Sequence, residues 1–433
     1  MGIETRNGDR TPTRPPLEWH QDSFWSEERL FAELERVFDI CHGCRRCADL
    51  CPAFSTLFEL VDESSSLSLE NVEKQDYWRV VECCYLCDRC YATRCPYIPP
   101  HEYQVDFALL MLRAKAVQLR KRRGGTLGER LLAAPDVVGD LAAVPLVGPL
   151  LCASIDNPLS RWLLRVPSGR RLVGCQRNTL RRRLERRQKG RSHPVSSLPA
   201  DEERVALFAT CHGNYSHPEI GEHLKAILEH NHVPMALVDG ERCCGLASLE
   251  RGDLDGVEAA KRFNVPRLAE WVEKGWDVLV PQPSCLQLFR RWLPALFPDD
   301  PQVHRVKTAV RDPFEYLMAL HAKGRLKTDF RHALGVVALH LSCRLQMDDG
   351  DATRRLLSLV PDTYVEVVEG CIGGGMGACE ASRRKPIVEG MRQLMPDHCS
   401  SNCLIAGDEI EAWLEEEGRM RHPLELMRMA YGI

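Results

Sequence analysis

The chain has 433 residues, is 44% hydrophobic and carries a formal charge of only -4, enough material for two or three domains and too little net charge for a nucleic-acid binder. Its polar, proline-rich start, "MGIETRNGDRTPTRPP", has neither the apolar core of a signal peptide nor the character of a transit peptide, so a cytoplasmic location is expected. Twenty cysteines in a chain kept under reducing conditions point to metal ligation rather than a disulfide framework.

In chain order, residues 1–23 read as an unstructured N-terminus. Residues 24–40 place Leu30, Phe31, Leu34, Val37 and Phe38 on one helical face. That helix leads into "CHGCRRCADLCP", with Cys41, Cys44, Cys47 and Cys51. A loop, "DESSSLSLE", and a second helix, "NVEKQDYWRVVE", lead to "CYLCDRCYATRCP", with Cys84, Cys87, Cys90 and Cys95. The first run has the bacterial ferredoxin spacing, in which three thiolates take three corners of a [4Fe–4S] cube and the fourth reaches the partner cube. The second run has one more residue before its last cysteine.

The spacing therefore predicts one cube on Cys41, Cys44, Cys47 and Cys95 and another on Cys84, Cys87, Cys90 and Cys51. Only Cys84 gives the two-residue spacing, so its neighbour Cys83 reads as a buried thiol. Zinc, the competing use of such thiols, normally takes two separated pairs rather than a run of four closed by Cys-Pro. Two cubes sharing ligands in this way lie close together and suit single-electron relay, so 24–125 reads as a two-cluster module.

Residues 126–200 form a connecting segment. Its apolar stretch "LAAVPLVGPLLCA" is short and broken by Pro145, Gly148 and Pro149, which excludes a membrane span. An arginine-rich run from Arg165 to Arg191 follows. Two readings stand: peripheral contact with anionic headgroups, or short core helices followed by a solvated linker helix.

From 204 onward, strand and helix signals alternate. "RVALFATC", "VPMALVDG" before "CCG", and "WDVLVPQPSC" read as strands within a first α/β unit, 201–330. "LGVVALHLSC" and "TYVEVVEGC" begin a second copy, 331–433. The strand ends carry Cys211, Cys243, Cys244 and Cys285 in the first copy. Cys343, Cys371, Cys399 and Cys403 mark the second, with Cys379 to spare. Open α/β sheets bind ligands at this edge. The fold class is therefore an α+β multidomain chain: a small helical two-cluster ferredoxin-like module followed by duplicated α/β domains. The glycine run 373–377 lacks the strand and helix context of a dinucleotide site, so no flavin or NAD site is read. His212, His217 and His340 lie near cysteines but read as surface or core residues.

The pattern "C…CCG…C", repeated, resembles the cysteine-rich CCG domain of heterodisulfide reductase subunits. From about residue 38, including "CYLCDRCYATRCPYIPPHEYQVDFALLMLRAKA" and "HPLELMRMAYGI", the chain resembles the iron–sulfur C-type subunit of anaerobic glycerol-3-phosphate dehydrogenase and related Fe–S oxidoreductases. The resemblance implies an electron-transfer subunit that takes electrons from a flavoprotein dehydrogenase and passes them toward quinone. A rubrerythrin-type partner and a catalytic disulfide or quinone reductase are the alternatives. The motif departs from the pattern where Gln282 stands in place of a cysteine and where "CCG" has become Cys371-Ile372-Gly373. Each half retains about four thiols, enough for one or two further Fe–S clusters of four-thiolate type but not for five-thiolate ones.

Overall fold

The computed structural model describes residues 14–142, 144, 157, 178–188, 203–345, 351–370, 372, 381–414 and 420–433. The N-terminal unit is helical: α1 (Glu27–Cys44), α2 (Pro52–Asp62), α3 (Tyr77–Glu82) and α4 (Phe107–Lys121). Helix α1 starts where the Ser26 side chain accepts from the Arg29 N–H and ends where Arg45 turns left-handed at φ 51°. It runs four residues past the expected end, so Cys41 and Cys44 sit in its last turn. Helix α2 opens on Pro52, whose missing N–H costs nothing at a first helical position.

The expectation of an unstructured 1–23 is corrected for residues 14–23. Trp19 is buried, its indole N–H donates to the Leu296 carbonyl, and the Leu17 N–H donates to the Ala295 carbonyl. Arg14, its side chain 9% exposed, bonds to Asp88 and Asp106. Burial of an indole and a paired guanidinium offsets the ordering entropy of this Pro-rich stretch. Cys83 is buried as expected, but it is disulfide-bonded rather than a free thiol.

Short helices α5 (Leu127–Leu132) and α6 (Pro135–Ala142) follow, then α7 (Leu180–Gln188). Most of the apolar stretch and of the arginine run lies outside the described residues. Two of the arginines that are described have internal partners, Arg181 with Glu241 and Arg183 with Glu222, while Leu180 and Leu184 are buried. Among the described residues no helix is long and apolar enough to cross a membrane.

The rest contains two four-stranded parallel sheets with the same strand order. One runs β2-β1-β3-β4 and the other β6-β5-β7-β8. The first comprises β1 (Val205–Leu207), β2 (Met235–Leu237), β3 (Asp277–Leu279) and β4 (Val310–Arg311). The second comprises β5 (Gly335–His340), β6 (Thr363–Val368), β7 (His398–Ser401) and β8 (Met420–Arg421). The central strand β1 is buried throughout, as expected of a parallel strand covered on both faces. Each last strand leads into a helix capped by a buried side chain before proline: Asp312 before Pro313, His422 before Pro423. This repeat, "VRDP" and "MRHP", is a sequence signal that strand propensity alone passes over.

One apolar cluster joins the helical unit to the first sheet, with Phe38, Phe54, Leu86 and Phe107 in the same core as Phe208, Phe289 and Trp292. A second joins the two sheets through Leu207, Leu224, Leu339 and Leu424. The units are thus packed on shared cores, and their loops meet at the cysteines.

Candidate metal centres

In the helical unit the thiols gather around two cavities. One is lined by Cys41, Cys44, Cys47 and Cys95, with Phe54, Tyr91, Tyr97 and Phe107 among its walls. The other is lined by Cys51, Cys84 and Cys87, with Leu50, Asp88, Phe107 and Ala108, and Cys343 from the second α/β unit also reaches it. Cys90 borders both. The last cysteine of each run thus stands with the first three of the other.

Local geometry explains the exchange. The residue after Cys44 and the one after Cys87 are left-handed, Arg45 at φ 51° and Asp88 at φ 67°, as is Leu86 at φ 51°. Non-glycine residues hold this conformation only where surroundings fix it. The extra residue of the second run is absorbed by a wide turn, Cys90–Arg94, in which the Cys95 N–H reaches back to the Cys90 carbonyl at 2.9 Å. Backbone N–H groups face several sulfurs: Ala53 and Phe54 toward Cys51, Leu86 toward Cys84, Tyr97 toward Cys95.

Burial pushes the thiols up, Cys47 to about 12 and Cys84 to about 11, and holds Cys51 and Cys90 well above the ordinary range; neighbouring cysteines add to the rise for Cys47, Cys51 and Cys90. A metal taken up here must expel those protons. Among the described residues no three His, Cys, Asp or Glu side chains converge on a single metal ion. Thiolates on one zinc would stand roughly 3.8 Å apart, given bonds of about 2.3 Å. The soft, all-sulfur donor sets around apolar cavities suit a larger sulfur-ligated group.

Polar side chains distant in sequence surround these cavities. The Arg14 guanidinium lies between Asp88 and Asp106, 4.3 Å from the Tyr91 ring centroid and 5.2 Å from that of Trp292. Asp106 also caps α4, accepting from the Leu109 N–H at 2.9 Å. Gln287 donates to the Cys87 carbonyl at 2.6 Å. Arg344 donates to the carbonyls of Tyr85 at 2.9 Å and Leu86 at 3.4 Å. No local motif marks Arg14, Gln287 or Arg344, because each reaches the cavity only through tertiary packing.

In the first α/β unit Cys211 follows β1, Cys243 and Cys244 follow β2, and Cys285 lies on the short helix Pro283–Gln287 after β3. The four meet at the carboxyl edge of the sheet. The sulfurs of Cys244 and Cys285 are 3.1 Å apart, and Cys211 and Cys243 share a hydrogen bond. The bonds that Cys211 and Cys244 make to the Cys243 sulfur hold that thiol well below its usual range, whereas Cys211 and Cys244 are raised.

Gly245 sits at φ 101°, and a Cβ there would meet Ala260 Cβ at 2.8 Å, so only glycine lets the loop pass this close to the helix Leu254–Glu273. Asp136 of α6 accepts from the Cys243 N–H at 2.5 Å, and burial followed by the nearby Cys243 raises its carboxyl to about 6. Sequence reasoning missed Asp136, which comes from the connecting segment.

Among the described residues of the second unit, Cys343, Cys399 and Cys403 have separate surroundings. Cys343 borders the second helical-unit cavity. Cys399 is inside β7, paired with Ala338 of β5. Cys343 lies three residues beyond the end of β5, in the turn that follows it. Cys403 is buried, and the Gln282 side chain donates to its sulfur at 3.4 Å. Cys371 and Cys379 lie outside the described residues, as does the glycine run.

Two of the three histidines are engaged elsewhere, while His212 stays beside Cys243 and its charge helps to lower that thiol. His340 is buried between Ser401 and the Gly370 carbonyl, and burial lowers it to about 4. His217 pairs with Asp408 and Glu219. His212 stands in the wide turn after Cys211.

The four thiols of the first α/β unit lie within a match to a known family. The cysteine-rich CCG domain family matches residues 205–290. Lactate utilization protein A 2 of Bacillus mycoides is 27% identical over 195 residues, 43% of this chain and 78% of that protein. The C-type subunit of anaerobic glycerol-3-phosphate dehydrogenase of Escherichia coli is 31% identical over 84 residues, 19% of this chain and 21% of that one. The B-type subunit of fumarate reductase (CoM/CoB) of Methanothermobacter marburgensis is 26% identical over 245 residues, 53% of this chain and 46% of that one. The chain carries a CCG-type cysteine-rich domain and is homologous to these lactate-utilization, dehydrogenase and reductase proteins.

Proposed function

We propose that the chain is an iron–sulfur electron-transfer subunit of an oxidoreductase, relaying electrons between a flavin-type dehydrogenase and a quinone or other acceptor. Cys41, Cys44, Cys47 and Cys95 hold one [4Fe–4S] cluster, and Cys51, Cys84, Cys87 and Cys90 hold a second. The observation that carries this reading is the exchange of fourth cysteines between two adjoining thiol-lined cavities. Such clusters, when bound, supply accessible one-electron states. The chain's own part is to fix the thiolates, to aim N–H groups at their sulfurs and to exclude water with Phe54, Phe107 and Leu50. The shared wall at Cys90 and Phe107 keeps the two sites adjacent. Homology to dehydrogenase and reductase subunits supports a separate catalytic partner.

The test is anaerobic purification followed by iron and acid-labile sulfide counts and electron paramagnetic resonance during reductive titration. About eight irons with two interacting signals are expected from the helical unit alone, and up to about twelve if the first α/β site is also loaded. Zinc in place of iron would overturn the reading.

A second reading, a catalytic disulfide or quinone reductase, is favoured by the close Cys244 and Cys285 sulfurs and the lowered Cys243 thiol. It predicts turnover with an artificial electron donor and no partner, abolished in Cys244→Ser.

A further inference from the structure

We infer that Arg344 is a positioning residue that raises the reduction potential of the centre held by Cys51, Cys84, Cys87 and Cys90, by orienting the Tyr85–Leu86 peptide toward the Cys84 sulfur. This rests on the reading of that cavity as an iron–sulfur site.

The two groups of one peptide plane point in opposite directions. Here the Tyr85 carbonyl accepts from the Arg344 guanidinium at 2.9 Å, while the Leu86 N–H on the other side of the plane faces the Cys84 sulfur. Arg344 also reaches the Leu86 carbonyl at 3.4 Å, and Gln287 reaches the Cys87 carbonyl at 2.6 Å. Three successive carbonyls of the Cys84–Cys87 loop are therefore held from outside by side chains of the two α/β units. Leu86 and Asp88 are both left-handed non-glycine residues, a conformation that persists only where such contacts over-determine it.

Arg344 is 6% exposed, so its charge acts in a poorly screened interior. Its carboxylate partner, Glu250, lies 2.8 Å away on the helix Leu246–Arg251 that begins after Cys244-Gly245. Gln287 accepts from the same guanidinium at 2.7 Å and belongs to the helix that bears Cys285. Hydrogen bonds to sulfur and nearby positive charge both favour the more negative, reduced form of such a centre. Arg344 directly follows Cys343, which borders the same cavity. The second α/β unit thus supplies both a wall of the site and a cation beside it from one dipeptide.

The experiment is a paramagnetic-resonance redox titration of the full, anaerobically loaded chain, with iron counted in every sample. Arg344→Met removes the cation and frees the Tyr85 carbonyl. At a fixed potential near the midpoint, the reduced-to-oxidised ratio of one centre is expected to fall at least tenfold, equivalent to about 59 mV for one electron. The centre on Cys41, Cys44, Cys47 and Cys95 should move far less. Glu250→Gln removes a negative charge 2.8 Å from the guanidinium and should shift the same centre the other way. General loosening of the fold cannot produce opposite signs from the two variants.

Arg344→Lys retains the charge but not the fork that spans two carbonyls, so an intermediate shift is expected. If Arg344→Met loses iron, Glu250→Gln still decides through the direction of its shift. Unshifted potentials, or shifts of the same sign in both variants, would overturn the inference while leaving the cluster reading intact. A wild-type chain without iron would overturn both.

Discussion

The Gln282 side chain donates to the Cys403 sulfur at 3.4 Å, and these two residues hold corresponding positions in the two sheets. Leu207 pairs with Leu279 and Leu339 with Ser400, so Gln282 and Cys403 each stand three residues past the matching strand position. Gln282 also accepts from the Leu404 N–H at 3.3 Å. A thiol engaged in this way, with Cys399 inside the strand, is poorly placed to join a centre of its own. Cys403→Ala is therefore expected to leave iron content unchanged and to lower stability by about 1–2 kcal/mol, from a lost hydrogen bond and a small cavity. Loss of about four irons in this variant would assign Cys403 to a cluster after all.

The exchanged cysteines make a paired prediction. Cys95→Ser should degrade the centre built on Cys41, Cys44 and Cys47, while Cys51→Ser should degrade the one built on Cys84, Cys87 and Cys90. Each variant should lose up to about four irons, and the remaining paramagnetic signals should differ between the two. If both variants lost the same signal, the exchange would be refuted.

Those eight thiols are legible because their spacing is local and each run is closed by proline. The strands that bring the first α/β thiols together also announce themselves, since "RVALFATC" and "WDVLVPQPSC" are apolar up to the cysteine-bearing turn. Strand β7 does not. Its residues, His398–Ser401, are mostly polar and become a strand only by pairing with β5 and β8, so sequence pattern alone does not mark the strand that carries Cys399. Residues 14–23 escape in the same way, because the partners that order Arg14 and Trp19 lie 74 to 277 positions away. The residues around the cavities, Arg344, Gln287 and Asp136, carry no local signature at all.

Arg14 joins the walls of both cavities, since Tyr91 borders one and Asp88 the other. Burial alone would favour the neutral base, but Asp88 and Asp106 outweigh it and keep the guanidinium charged. Arg14→Met takes the guanidinium from both carboxylates, leaving Asp88 only the more distant Arg291 at 3.7 Å and Asp106 the Leu109 N–H, and is expected to destabilise the chain by about 3 kcal/mol. Adding Asp88→Asn should recover part of that loss. Anaerobic denaturant unfolding of the single and double variants checks both; strictly additive losses would show that the two side chains act independently.

His217 ties the two α/β units together, its ring nitrogens facing Asp408 at 3.0 Å and Glu219 at 3.2 Å. Burial alone would lower its pKa, but hydrogen bonds and charges from those carboxylates raise it to about 9. The nearby His422 stays neutral because burial holds it down at about 3. An unfolded histidine titrates near 6.5. The stabilisation from His217 is therefore fully present below about pH 6.5 and is lost as pH rises through about 9. The ring is part-exposed, so the contribution is on the order of 1–3 kcal/mol rather than the full value of the shift. Unfolding of wild type and His217→Gln should differ by that amount at about pH 6 and converge by about pH 10. A difference that stays constant across this range would mean that packing, not the charged ring, holds the two units at this contact.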